Sequence, residues 1–301
     1  GLAFTSKTFR NVELLKQFFL QCLSIQANGL RLGKGGAGAM VEALVRLFRE
    51  SGGELRCAAS VTKILVERGA AIGVVAGGEA VTARRAVIAN LAPPVLFRLL
   101  TPERMAKRYR HGPGTMMIHL ALSELPDWRD RRVRDFLYIH IAPSLAMMSR
   151  AYQDAMRGLL PDQPVLIIAQ PTVIDPSRAP PGRHLLSVQV RMVPPVMDKE
   201  RYADHVIDMI EAYAPGLRGR ILGRHVISPA DLERANPNLV GGDSIGGSHH
   251  LGQQFIFRPF LGWSRHQTPI GRLFLCGAST WPGAGVGAGS GWLLGHRLAK
   301  G

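Results

Sequence analysis

Apolar positions recur along this chain with two periods, and the change of period marks its elements. Val12, Leu15, Phe18, Phe19, Cys22, Leu23 and Ile25 fall at helical spacing within residues 12–28. Met40, Ala43, Leu44, Leu47 and Phe48 form one stripe of a second helix, which follows the run Gly33-Lys34-Gly35-Gly36-Ala37-Gly38 and ends at Gly52-Gly53. The spacing then shortens. Val61–Val66, Ala71–Val75 and Arg85–Ala89 read as strands of a hairpin or meander, separated by turns at Arg68-Gly69 and Gly77-Gly78. Pro93-Pro94 has fixed φ and no N–H donors, which predicts neither helix nor central strand there. A domain crossing is expected just beyond.

Four more strand-like runs follow at Thr115–Leu122, Phe136–Ile141, Val165–Gln170 and Leu185–Val193. Long Pro- and Gly-rich connections separate them, which favours antiparallel pairing over βαβ repeats. Tyr202, Val206, Met209, Ile210 and Tyr213 predict an amphipathic helix over 198–213, stopped by Pro215-Gly216. The middle of the chain therefore reads as an α+β substrate or cap domain.

A length of 301 residues allows about two domains, and 46% hydrophobic with 20% charged residues excludes a disordered chain. The net charge of +15 raises nucleic acid or an anionic membrane as partner. However, 30 of the 37 basic residues are Arg, spread along the chain, so a general Arg bias competes with a binding face. No nucleic-acid motif is found. The clusters Arg104, Lys107, Arg108, Arg110 and Arg129, Arg131, Arg132, Arg134 read first as solvated faces, and together they suit anionic headgroups. Cys22, Cys57 and Cys276 form no CxxC, so neither a disulfide framework nor a metal site is expected, and a reducing, cytoplasmic compartment fits. No run approaches the ~18 apolar residues of a membrane span, so any membrane contact is expected to be peripheral. The chain opens Gly-Leu-Ala-Phe, with neither Met nor a signal-peptide pattern.

Two segments match or nearly match a dinucleotide fingerprint. Gly33-x-Gly35-x-x-Gly38 is formally GxGxxG and opens a helix, but only Leu30 and Leu32 precede it and no acidic residue stands about 20 positions on. It reads as a tight turn onto a helix. In the second segment, Leu273-Phe274-Leu275-Cys276-Gly277-Ala278-Ser279-Thr280-Trp281-Pro282 leads through Gly283–Gly291 into Trp292-Leu293-Leu294. A short buried strand thus enters a Gly-rich turn and a helix with a small-residue first turn, where free N–H groups and the dipole favour a flat or anionic ligand.

This C-terminal run resembles the flavin-binding end of FAD-dependent amine-oxidase-like and phytoene-desaturase-like oxidoreductases, in their phytoene-dehydrogenase-related branch. Lys34–Met40, Val61-x-x-Ile64 and Val87–Asn90 are similar to that family's earlier motifs. So are Asn236-Pro237-Asn238, Gly241-Gly242-Asp243, Gln254, Arg258-Pro259 and Thr268-Pro269-Ile270. The resemblance implies an α/β (α+β) fold, with an incomplete split FAD-binding domain and a mixed-sheet substrate domain. It divides the chain into a helical segment of the substrate or cap domain (1–30), an FAD-domain portion (31–100), the substrate domain (101–265) and a C-terminal FAD-binding strand and helix (266–301).

By the same resemblance the Val61 backbone meets the adenine, and Gly277 and Ala278 lie against the ribityl and pyrophosphate. Ser279 stands where related flavoenzymes often carry an acid and offers a neutral hydrogen bond to the ribityl chain. Val286, Gly287 and Ala288 aim N–H groups at the flavin N1/O2 edge. The family's N-terminal Rossmann unit has no counterpart in residues 1–30, which predicts a fragment or a truncated relative. Catalytic residues are not identified; His249, His250, Gln254, Arg258 and Trp281 are the substrate-side candidates, with Arg258 clamping a carboxylate or pairing with Asp243. The expected activity is FAD-dependent dehydrogenation or desaturation of an apolar isoprenoid- or lipid-like molecule. A flavin-dependent carotenoid isomerisation without net redox change and a non-catalytic basic binding module are the alternatives.

Overall fold

The computed structural model describes residues 33–100, 109–195, 197–284 and 288–300. The amphipathic pattern at 12–28, and Val286 and Gly287 of the expected flavin loop, lie outside these residues. Among the described residues ten strands run in chain order: β1 (Val61–Glu67), β2 (Ala70–Ala76), β3 (Glu79–Thr82), β4 (Val87–Ala89), β5 (Gly114–Leu122), β6 (Tyr138–Ile141), β7 (Val165–Ala169), β8 (His184–Val193), β9 (Ile221–Ile227) and β10 (Leu273–Leu275). Contacts group Leu32–Gly53 with Pro113–Ser244 as a central unit, and Glu54–Gly112 with Ile245–Gly301 as a second. The dividing points fall near 112 and 244, where the sequence reading has 100 and 265.

In the central unit five strands form one sheet in the order β6-β7-β8-β5-β9. Every pairing in it is antiparallel, which corrects the mixed sheet expected from the resemblance. Alternation explains its core. Met116, Ile118, Leu120 and Leu122 of β5 and Leu186, Val188 and Val190 of β8 point to one face with no exposure. The helix Lys199–Glu211 lays Tyr202, Ala203, Val206, Ile207 and Ile210 upon them. Burying such side chains stabilises by roughly 1.5–3 kcal/mol each. Asp198 caps that helix by accepting from the Arg201 N–H.

The helix Ala37–Glu50 also belongs to this unit, and its apolar stripe is exposed: it contains no buried residue. The preceding glycines form a turn in which the Gly36 N–H donates to the Gly33 carbonyl, and Gly36 takes φ 95° at the N-cap. Gly52, at φ 83°, closes the helix with its N–H on the Arg49 carbonyl.

The second unit holds an antiparallel meander, β1-β2-β3, and a parallel pair, β4-β10. The run Arg85–Ala89 is therefore not the meander's third strand; β3 is, and β4 pairs Val87, Ile88 and Ala89 with Leu273, Phe274 and Leu275. Pro93-Pro94 opens the helix Pro93–Leu100 instead of forbidding one. In the first turn a missing N–H costs nothing, because that group has no intrahelical acceptor, and φ is already helical. Leu96 and Phe97 of this helix pack with Ile64, Ala89, Trp263, Leu273 and Leu275 into the unit's core. No helix of the described residues is long and apolar enough to cross a membrane.

Candidate functional site

The two parallel strands end side by side, with the Cys276 N–H on the Ala89 carbonyl and Asn90 against the Cα of Gly277. Ligands of open parallel sheets sit beyond such carboxyl ends. Gly277 turns the chain at φ 100°, a conformation that disfavours any side chain. Its N–H donates to Ser290 Oγ at 3.0 Å, and its carbonyl accepts from Thr280 Oγ1 at 2.9 Å. Thr280 Oγ1 and Ser290 Oγ lie 2.6 Å apart. Because the threonine proton is committed to the Gly277 carbonyl, the Ser290 hydroxyl is the donor between them. These three bonds close a ring that fastens the helix Gly289–Lys300 to the exit of β10.

The next two residues are arranged differently. Neither the Ala278 nor the Ser279 N–H has a hydrogen-bond partner among the described residues, whereas the Ala278 carbonyl is held from inside. Arg258 holds it. This side chain has no exposure, and its Nη2 donates to Ala278 O at 2.7 Å and Gly246 O at 2.8 Å. Its Nη1 reaches Gln253 O at 3.3 Å and Ser248 O at 3.5 Å. A buried guanidinium thus joins the loop 246–253 to the turn after β10.

Of the sequence-predicted substrate residues, His249 and His250 lie on that loop, Gln254 and Arg258 follow it, and Trp281 lies on the turn after β10. Phe255 packs against Trp281 with ring centroids 5.3 Å apart and ring planes tilted by 38°. Gln254, buried, lies with Nε2 2.8 Å from His249 Nδ1, so the amide donates and the imidazole proton resides on Nε2. His250 is exposed and accepts the Gly252 N–H, capping a short turn. The structure therefore brings together Gly277, Ala278, Ser279, Trp281, Gln254, His249 and Arg258, and gives Arg258 a place inside the protein, without exposed surface for a carboxylate ligand. Val61 lies elsewhere in the unit, paired with Ala76 at the start of edge strand β1. Ala288, at φ 49°, accepts the Trp292 N–H at the start of the last helix.

Three participants are not among the sequence candidates. Asn90 closes the Val87–Asn90 motif and Ser290 lies in the glycine-rich run, but neither sequence pattern shows that they meet at Gly277, and Phe255 has no local sign of its contact with Trp281. Burial pushes the Cys276 thiol pKa up, which keeps it protonated at neutral pH and a poor nucleophile. Among the described residues no His, Cys, Asp and Glu cluster could hold a metal ion.

The geometry suits the FAD expected from the resemblance. Two backbone amides without a partner among the described residues follow a parallel strand, Ser279 has a hydroxyl beside them, and in the first turn of the last helix Gly289 packs where a Cβ would meet Pro282 at 3.2 Å while a Cβ on Gly291 would meet nothing within 4 Å. The other glycine motif does not offer this: the Gly35 N–H is already bound to Asp175 Oδ2 at 2.8 Å.

Comparison with known proteins points the same way. The family model for flavin containing amine oxidoreductases matches residues 9–299. The chain is 30% identical over 295 residues to "Pyridine nucleotide-disulfide oxidoreductase domain-containing protein 2" of Rattus norvegicus, an alignment covering 89% of this chain and 50% of the relative. It is 29% identical over 275 residues to the zeta-carotene-forming phytoene desaturase of Myxococcus xanthus, covering 86% and 50%. The chain thus spans about half the length of these curated relatives. Among solved structures, an oxidoreductase from Methanosarcina mazei superposes with TM-score 0.55 at 17% identity, covering 88% of this chain and 55% of that one, which shows a shared fold.

Proposed function

Because the chain belongs to the flavin containing amine oxidoreductase family, whose cofactor is FAD, we propose that it forms part of a dehydrogenase or desaturase acting on an apolar, isoprenoid- or lipid-like substrate. FAD supplies the hydride acceptor when bound. On this reading Glu54–Gly112 and Ile245–Gly301 carry portions of a split FAD domain, and the central unit, Leu32–Gly53 with Pro113–Ser244, is the substrate domain. Contact with a membrane is peripheral.

Each residue then has a part. The Ala278 and Ser279 N–H groups donate to the pyrophosphate and ribityl region, with a neutral hydrogen bond from the Ser279 hydroxyl. The Val61 backbone meets the adenine. Ala288 stands at the helix start that faces the flavin edge. Phe255 and Trp281 form an apolar wall that excludes water from the reacting carbon. His249 is held by Gln254 with its Nε2–H as donor. Arg258 touches no substrate; it keeps the amide turn and the aromatic loop in register.

The observation that carries this reading is the pair of amides at the carboxyl end of β10 that have no partner among the described residues. Similarity to a carotenoid desaturase supports the substrate class. Titrating the chain with FAD while following flavin fluorescence tests the cofactor site. Saturable quenching is expected, and Ala278→Pro, which deletes one open N–H, is expected to weaken it roughly tenfold. A folded chain that gives no quenching at millimolar FAD counts against the site. For the reaction, anaerobic turnover should consume an electron acceptor; product formed with none consumed would mean isomerisation instead.

A further inference from the structure

The five-stranded sheet of the central unit has two unlike faces. One is the dry core under the helix Lys199–Glu211. On the other, the register sets a row straight across the strands: Tyr138 opposite Ala169, Ala169 opposite Ser187, Ser187 opposite His119, and His119 opposite His225. Gln189, one pleat along β8 on the same side, pairs with Met117 and Ile167. His119, Ser187 and Gln189 are half-buried in the two central strands, and Tyr138 and His225 are exposed toward the edges.

His119 Nδ1 lies 3.0 Å from Ser187 Oγ. In either tautomer this pair presents one donor outward: the imidazole Nε2–H when the serine donates, or the serine O–H when the imidazole does. Burial first, and then the neighbouring His225, lowers the His119 pKa, so the ring is neutral at pH 7 and the pair is a hydrogen-bonding group without charge. Covering these groups with hydrocarbon would leave donors unpaired, whereas an oxygen acceptor satisfies them. A plain hydrocarbon is the wrong complement to this face.

We propose that the His119–Ser187–His225 row binds an oxygen of the substrate, so that the isoprenoid- or lipid-like molecule carries a hydroxyl, carbonyl or carboxylate group. This rests on the reading of the central unit as the substrate domain and narrows its substrate class. Apolar Met117, Ile167 and Ile227 beside the row take the hydrocarbon portion.

Geraniol and geranic acid, set against the hydrocarbon 2,6-dimethylocta-2,6-diene, are the probes. Each is titrated into the 301-residue chain while the imidazole resonances of His119 and His225 are followed by NMR. The oxygenated probes are expected to shift both resonances and to bind at least tenfold more tightly than the hydrocarbon. Ser187→Ala, a small change in a half-buried position, is expected to remove most of that preference, and His225→Leu, at an exposed one, to reduce it. Hydrocarbon binding as tight as alcohol or acid, or oxygenated probes that leave both imidazoles unmoved, overturns the proposal. FAD quenching measured on the same samples reports the flavin site separately, so loss of one reading is distinguishable from loss of the other.

Discussion

The chain has two glycine-rich turns that open helices, and they differ in what their amides do. Gly36 and Gly277 adopt φ 95° and 100°, a range that side chains of other residues rarely allow. At the first, the Gly35 N–H is bound by the protein's own Asp175 carboxylate, and the Arg178 guanidinium sits against Gly36. At the second, carbonyls are bound inward by Arg258 and Thr280, while the Ala278 and Ser279 N–H groups have no partner among the described residues. The surroundings differ in the same sense. Residues 245–301 contain five basic side chains and no carboxylate, whereas 113–244 contain fifteen of each. The Gly35 amide already has a carboxylate partner, whereas the segment that carries Ala278 has only basic charges. On the proposed function, satisfaction of the amides, not the spelling GxGxxG, separates the two turns, and the net charge of +15 lies wholly outside the 113–244 segment.

Removing Arg258 is the largest blow to the second turn. Arg258→Met leaves four buried or part-buried carbonyl interactions unmade and is expected to destabilise by about 3 kcal/mol. Urea unfolding measures it. Arg258→Lys should recover less than half, because one ammonium cannot span both sides of the guanidinium fork. A loss under about 1 kcal/mol would show that the turn is held by something else. Gly277→Ala comes next. The new Cβ meets Asn90, which can swing aside, but the left-handed backbone remains, so a cost of about 1–2 kcal/mol is expected together with at least a tenfold loss in FAD quenching. Unchanged quenching in a folded variant would separate the turn from the cofactor.

What the sequence discloses about these regions depends on whether the deciding contact is local. Strands β5 and β8 and the helix Lys199–Glu211 are legible because their alternation and 3.6-residue spacing coincide with burial. The helix Ala37–Glu50 is equally legible although its stripe is exposed, since periodicity reports amphipathicity and not what covers it. Strand β9 is not, because Gly223, Arg224 and His225 interrupt its apolar pattern and it is recruited by pairing with β5. The parallel partnership of β4 and β10 joins distant segments and has no local sign. At the site, the glycine run after Leu275 announces itself. Arg258 does not: its acceptors are main-chain carbonyls, which carry no residue code, so a buried brace and a surface clamp look alike in sequence.

The first turn should respond without any effect on flavin. Gly36→Ala brings a Cβ against the Arg178 guanidinium, the far end of a flexible side chain, but φ 95° with ψ −171° is a conformation essentially reserved for glycine, so a cost of about 1–3 kcal/mol is expected, with FAD quenching unchanged. A change in quenching would restore a ligand role to the GxGxxG loop.

Smallest of all is the effect of Asp175. Its carboxylate accepts from the Ser177 hydroxyl and the Gly35 N–H, and those bonds, the serine's first, hold its pKa below the usual range. With the folded pKa lowered, the contribution is present above the unfolded value near ~4 and is lost as pH falls through the folded value. The Gly35 amide proton resonance reads this directly. It is expected to titrate with a midpoint below that of an ordinary aspartate, and Asp175→Asn should abolish the titration while leaving the helix Ala37–Glu50 formed. A Gly35 resonance flat from pH 7 to 2 in the unsubstituted protein would mean that the carboxylate does not hold this amide; the first turn would then be as open as the second, and the contrast between them would fall.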